Sequence, residues 1–192
     1  MSHRPKIIHI DRRHYRLSAD RKGEEEFRVD IDNKSFVVMG WSYPMAVNTI
    51  KFTDNYDVEC WRMDKAISER TIRKYDGITF RLLPYSNDLI PLNFLKEIIE
   101  ESKKNKIILH FHAPYSRQNQ FLLLFLKNIP VILQHRGSFS SRVKSRHNKK
   151  LKYFLDYEYE KLTYNNVDYF LTCSQYWKSF ISKIVGKDKT SM

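Results

Sequence analysis

Three histidines stand where apolar runs end and polar residues begin. His110 and His112 close the run Ile107-Ile108-Leu109 and lead into Ala113-Pro114; His135 closes Val131-Ile132-Leu133 and leads into Arg136-Gly137-Ser138. Such runs read as strands buried on both faces, and ligands of parallel α/β sheets bind outside the carboxyl ends of the strands. A neutral imidazole there can hydrogen-bond a ligand or pass a proton near neutral pH. His110 and His112, two residues apart, are expected on one strand face. Arg136, Gly137 and Ser138 form a short turn that can offer backbone N–H groups and a guanidinium to an anion. Ser174 follows a third run, Phe170-Leu171-Thr172, and is placed to cap the next helix and help its N-terminus hold an anion.

The elements that carry these residues are legible from pattern. Lys6–Ile10 and Ser35–Trp41 read as strands, with a charged excursion at 11–34 between them. A weak helix opens at Pro44, strands are expected at 57–62 and 78–83, and a short helix at Ala66–Lys74. From Pro91 onward, helix and strand alternate: helix from 91, strand 106–112, helix 118–127, strand 131–135, helix 148–165, strand 168–173, final helix to Gly186. In the long helix Leu151, Phe154, Leu155, Glu158 and Leu162 share one face, and Tyr153, Tyr157 and Lys161 fall on a stripe that reads as core edge; in the final helix Trp177, Phe180, Ile181 and Ile184 form the face expected to be buried. Alternation of this kind makes βαβ units. The fold class is therefore α/β, a Rossmann-like parallel sheet with helices on both faces.

The chain has 192 residues, enough for one domain with a real core, and a net charge of +12. That charge favours acidic partners: phosphorylated substrates, anionic lipid surfaces or nucleic acid. Arg136 to Lys152 holds seven Lys/Arg and no acid. No zinc-finger, helix-turn-helix or RNP-like pattern occurs, so nucleic acid is not expected as partner. Cys60 and Cys173 have no metal-ligand spacing and read as reduced, buried thiols of a cytoplasmic protein. No Asp-x-Asp ends a strand; Asp30-Ile31-Asp32 falls in the charged excursion, and no metal is expected. The amino-terminal residues are too short and charged for a signal peptide, and the longest apolar run, Phe121–Leu126, is far short of a membrane span.

Taken in order, four segments resemble the family-4 glycosyltransferases of the GT-B fold. His110-Phe111-His112-Ala113-Pro114 is similar to their His-x-His-x-Pro segment. Val131–Ser138 is similar to their next strand, which ends in His or His-Gly. Asp168–Ser174 is similar to their strand ending in Ser, and Asp76–Pro84 to a strand with Gly-Ile entry and Pro exit. The resemblance covers about residues 57–185.

This resemblance implies the N-terminal, acceptor-binding part (1–186) of a retaining hexosyltransferase. Such an enzyme moves a sugar from a nucleotide-diphosphate sugar to a glycan or lipid-linked acceptor, as in cell-envelope polysaccharide synthesis. No cofactor is implied beyond the donor substrate. Residues 187–192 are then the start of an interdomain linker, with the C-terminal donor domain absent and the chain inactive without one. The resemblance makes His135 and His112 the catalytic candidates and His110, Arg136, Gly137, Ser138 and Ser174 candidates for acceptor or phosphate. The family's Gly-rich turn after the first strand is missing; Arg12 and Arg13, just after Ile10, are candidates to bind diphosphate in its place. The location implied is cytoplasmic, peripheral at the inner face of an anionic membrane. The competing expectation is a non-catalytic Rossmann-like module that binds an acidic partner.

Overall fold

The computed structural model describes residues 4–12, 27–31, 34–38, 42–64, 68–84, 91–112, 117–135, 150–185 and 189–191. Apart from Thr71–Tyr75 and the separate pair Phe27–Ile31 and Lys34–Val38, the described strands are parallel, and they are flanked by helices, the α/β, Rossmann-like class expected. The chain divides into two compact units, Met1–Asn87 with Ile98–Ile107, and Asp88–Glu97 with Ile108–Met192.

The first unit holds β1 (Lys6–Arg12), β2 (Phe27–Ile31), β3 (Lys34–Val38), α1 (Ser42–Phe52), β4 (Asp57–Asp64), β5 (Thr71–Tyr75) and β6 (Ile78–Pro84). Helix α2 (Leu92–Lys104) contributes its carboxyl-terminal turns. Strands β1, β4 and β6 are parallel neighbours, with His9 opposite Cys60 and Cys60 opposite Phe80. Helix α1 packs Ala46, with Tyr43, Val47 and Ile50, on Val58, Cys60, Ile78 and Phe80.

Two expectations are corrected in this unit. Strand β3 does not join the parallel strands; it pairs antiparallel with β2, which lies inside the charged excursion. Met39, Gly40 and Trp41, expected to continue β3, lie outside the described residues. Of the helix expected over 66–74, Ala66 and Ile67 lie outside the described residues, and Thr71–Lys74 belong instead to strand β5, antiparallel to β6 with Tyr75 opposite Ile78. Asp76 and Gly77 make the reversal with φ of 50° and 75°. Positive φ at both central residues gives the hairpin turn whose twist matches that of the strands, so pairing across this local turn overrides the helical propensity of a Lys/Arg-rich stretch. A Cβ at Gly77 would meet Ile50 Cδ1 at 3.5 Å, an ordinary contact. The cost of Gly77→Ala is therefore backbone strain alone, an expected loss of about 1 kcal/mol in a urea melt.

Behind β1, β4 and β6 lies a closed ring of charges. Lys6 Nζ donates to Glu59 Oε1 at 2.7 Å and to Glu101 Oε1 at 2.6 Å. Arg81 reaches the other oxygens of both carboxylates, at 3.3 and 2.9 Å. Trp61 Nε1 donates to Glu59 at 2.6 Å, Asn105 Nδ2 to Glu101 at 2.6 Å, and the Arg81 guanidinium stacks 4.0 Å over the Trp61 ring. Buried charges persist only when paired and hydrogen-bonded, and these carboxylates meet that condition.

The second unit carries β7 (Ile107–Phe111), α3 (Arg117–Phe125), β8 (Val131–His135), α4 (Lys150–Tyr164), β9 (Tyr169–Thr172), α5 (Gln175–Val185) and β10 (Thr190–Ser191). Its strands run in the order β10-β9-β8-β7, all parallel. Asp168 ties the sheet's lower edge: its carboxylate accepts the Val131 N–H at 2.8 Å, while its own N–H donates to the Val131 carbonyl at 3.0 Å. Asn166 Nδ2 donates to the Leu123 and Leu124 carbonyls, closing the end of α3.

One reading is corrected here as well, that of Cys173. The α4 face that carries Leu151, Phe154, Leu155, Glu158 and Leu162 is exposed, and the helix buries Asp156, Glu160, Thr163 and Tyr164. Tyr157 and Tyr164 meet Phe180 and Phe170 edge-on, so the aromatic side of α4 is the one complementary to its neighbours. Cys60 is buried as expected, but Cys173 is exposed.

Candidate functional site at the strand ends of the second unit

Strands β7 and β8 pair in register, Leu109 opposite Val131 and Phe111 opposite Leu133. Opposed residues share a face, and faces alternate along each strand. His110 and His112 therefore share one face with Ile132 and Gln134. His135 lies on the other, with Phe111, Leu133 and, across β9, Phe170 and Thr172. The three histidines arrive at one end of the sheet, as expected, but on opposite sides of it.

On the first side the two imidazoles of β7 lie with ring centroids 4.2 Å apart, both buried. His112 Nδ1 is 2.8 Å from Gln134 Oε1. A carboxamide oxygen only accepts, so with the amide placed this way Nδ1 carries the proton and Nε2 has the lone pair. That is the tautomer of a base or acceptor held in one orientation. Gln134 was not singled out from sequence; the signal was there in its place beside His135, but its value depends on strand register, which one sequence does not reveal.

On the second side His135 is fully buried between α4 and α5. Its ring lies 5.0 Å from that of Trp177, 5.9 Å from Tyr164 and 6.4 Å from Phe180. Burial lowers its pKa from 6.5 to about 3, so it is neutral throughout the physiological range. Among the described residues neither ring nitrogen has a hydrogen-bond partner, and neither does the Tyr164 hydroxyl. Burial, with the charge of Glu160, pushes that phenol well above its ordinary range, so it keeps its proton. A neutral imidazole with two unsatisfied nitrogens is costly to bury, and it is a ready partner for a hydroxyl-bearing ligand.

The buried state of His135 has a measurable consequence. Its pKa is depressed in the folded chain, so the unfolded chain binds the extra proton. The stability this group contributes is complete above about pH 6.5 and falls by about 1.4 kcal/mol per pH unit as pH drops toward 3. His135→Leu is expected to flatten that part of the acid limb in denaturation curves taken between pH 7 and pH 4.

The other predicted residues are placed as follows. Ser174 caps α5: its Oγ accepts the Trp177 N–H at 3.4 Å and its carbonyl the Lys178 N–H at 3.0 Å. Arg12 ends β1, in the first unit. Arg13, Arg136, Gly137 and Ser138 lie outside the described residues. No helix among the described residues is long and apolar enough to cross a membrane.

No protein-family model matches the sequence, and no curated protein sequence does. Solved structures do. The sucrose-phosphate synthase from Thermosynechococcus elongatus superposes with a TM-score of 0.63 at 10% identity, over 98% of this chain and 47% of its own. The likeness is one of fold. The α,α-trehalose 6-phosphate synthase from Burkholderia multivorans also matches, with a TM-score of 0.49 at 11% identity, over 96% of this chain and 43% of its own. The chain thus spans about half the length of the solved structures it resembles.

Proposed function

We propose that this chain is the acceptor-binding part of a retaining, family-4-like glycosyltransferase. It works on a nucleotide-diphosphate sugar and a glycan or lipid-linked acceptor. The observation that carries the reading is the fold likeness to sucrose-phosphate synthase over nearly the whole chain, joined to histidines at the ends of two adjacent parallel strands. Sugar transfer requires an acceptor hydroxyl held at the anomeric carbon, stabilisation of charge on the departing diphosphate, and exclusion of water.

In this reading His112, oriented by Gln134, receives the acceptor hydroxyl at Nε2, and His110 stacks beside it. His135 offers a neutral imidazole to a sugar hydroxyl from the other side of the sheet. Arg12, Arg13, Arg136, Gly137, Ser138 and the capped start of α5 at Ser174 serve phosphate. No resident cofactor or metal takes part; a donor domain, in the same protein or a partner, supplies the nucleotide-sugar. The reaction is placed in the cytoplasm, at the inner face of the membrane, in cell-envelope polysaccharide synthesis.

The test is label transfer in an extract of native cells lacking the gene, supplied in turn with radiolabelled UDP-, GDP- and ADP-sugars. Adding the protein back is expected to restore label in a glycan or glycolipid. Extracts that label identically with and without it would leave the chain as a non-catalytic module for an acidic partner.

A further inference from the structure

Helix α4 turns the polar Asp156, Glu160 and Thr163 inward and its leucines out. Leu151 is 71% exposed, Phe154 56%, Leu155 58% and Leu162 57%. Single exposed hydrophobics are ordinary, but residues three and four apart on a helix are neighbours, so these four form one stripe. Glu158 and Lys161 are exposed on the same side of the helix. Among the described residues neither has an ion-pair partner.

The carboxylate in the middle of the stripe selects what can cover it. Against acyl chains or a wholly apolar groove, Glu158 would lose its water with nothing to replace it. The surface that fits is apolar and offers a cation opposite the carboxylate. The stripe is itself such a surface, with Lys161 one turn from Glu158. A two-fold interface brings residue i to residue j and j to i, so a helix that carries both members of an ion pair makes that pair twice. The charges also select the orientation. Parallel helices would set Glu158 against Glu158. Antiparallel helices set Leu151 and Leu155 of one copy toward Leu162 of the other, and bring each Glu158 within reach of the opposite Lys161. The six side chains present roughly 600 Å² per copy, so two copies face to face bury about 1,000 Å², the lower limit for a specific interface and the size of a weak, reversible one.

We propose that two copies of this chain associate through antiparallel α4 helices. Leu151, Phe154, Leu155 and Leu162 make the apolar contact, and two Glu158–Lys161 pairs set its register. The inner side of the same helix holds the Tyr164 ring 5.9 Å from that of His135, so the contact also braces the helix that covers His135. The inference goes beyond the proposed function, and its test involves no sugar, so either reading can fail without the other.

The test is sedimentation equilibrium of the purified chain at ~2 to ~200 μM, a range that spans the affinity of an interface this size. The mass is expected to rise with concentration from 23.2 kDa toward twice that value. Leu155→Glu with Leu162→Glu should weaken association at least about a hundredfold. Glu158→Lys alone, or Lys161→Glu alone, should weaken it about tenfold by setting like charges together. Glu158→Lys with Lys161→Glu exchanges the two charges and should return association to within about threefold of the wild type, a rescue expected only if the two residues meet across the interface. All four positions are exposed, and unchanged circular-dichroism melts confirm that the variants fold. A chain that stays monomeric at the highest concentration overturns the proposal; if that monomer sediments with phospholipid vesicles, the face belongs to lipid. Association unchanged by Leu155→Glu with Leu162→Glu overturns it as well. So does a charge-exchanged variant that associates no better than the single ones.

Discussion

His112→Ala is expected to lower sugar transfer by about 10²-fold or more. The size is that expected for the positioned base or acceptor of the proposed reaction. His112 is buried and hydrogen-bonded to Gln134, so some loss of stability accompanies it, and the comparison that isolates the chemistry is activity per folded molecule. Gln134 acts through His112 by holding Nδ1. Gln134→Leu leaves the imidazole in place but removes the partner that selects its tautomer. The expected result is a smaller loss in kcat, with KM nearly unchanged and a shifted pH profile. Gln134→Glu keeps an acceptor at Nδ1 and should restore most of the activity, while raising the pKa of the ring by placing a carboxylate beside it. Equal losses in all three variants would mean that His112 and Gln134 only build the strand end.

The largest effect on stability is expected at the charged ring of the first unit. Arg81→Ala leaves Glu59 and Glu101 buried with Lys6 as their only cation among the four members, and removes the guanidinium stacked on Trp61. Breaking a buried ion cluster by deleting one partner costs about 3–5 kcal/mol, a large share of the stability of a chain this size.

The same ring sets both ends of the pH range. Burial alone would raise the Glu101 pKa, but the Lys6 hydrogen bond and the Arg81 charge outweigh it, and the net shift is downward from 4.5. A depressed carboxyl contributes stability that is present above its unfolded value and is lost as pH falls through the folded one. Lys6 is the mirror case. Burial would lower its pKa, but its hydrogen bonds to Glu101 and Glu59 raise it above 10.5, so its contribution holds below that pH and is lost above it. Urea melts of wild type and Arg81→Ala from pH 3 to pH 11 check this. The variant should start lower at neutral pH and lose less on further acidification. A variant as stable as the wild type would remove the ring from any account of the fold.

Much of this architecture is visible in the residues, and the exceptions can be traced to particular pairings. The alternation from α2 to α5 is legible because each strand is a continuous apolar run and each helix is bounded by Pro, Asn or Ser. Ser174 as a cap follows from local chemistry, and the Trp177/Phe180 side of α5 faces its neighbours as its spacing suggests. Strand β5 is decided locally, by its two-residue hairpin with β6, but Asp76-Gly77, the hairpin signal, reads equally well as the entry to β6 alone. The other features that pattern leaves open are decided by distant partners. Helix α4 has two candidate faces, and the aromatic rings of α5 and β9 select the one with fewer aliphatic residues. The separation of His135 from His112 turns on the parity of a strand register. Period two tells that His110 and His112 agree, but not which face of β8 agrees with them.

The central claim is that these strand ends serve glycosyl transfer, and the most direct measurement is made in the native cell. The gene is deleted, then restored as wild type or as His112→Ala, and the surface glycans and lipid-linked oligosaccharides are compared by mass spectrometry. The account predicts that deletion removes one sugar from one of these species, that the wild type restores it, and that His112→Ala does not. An unchanged glycan profile on deletion, or full restoration by His112→Ala, would contradict it.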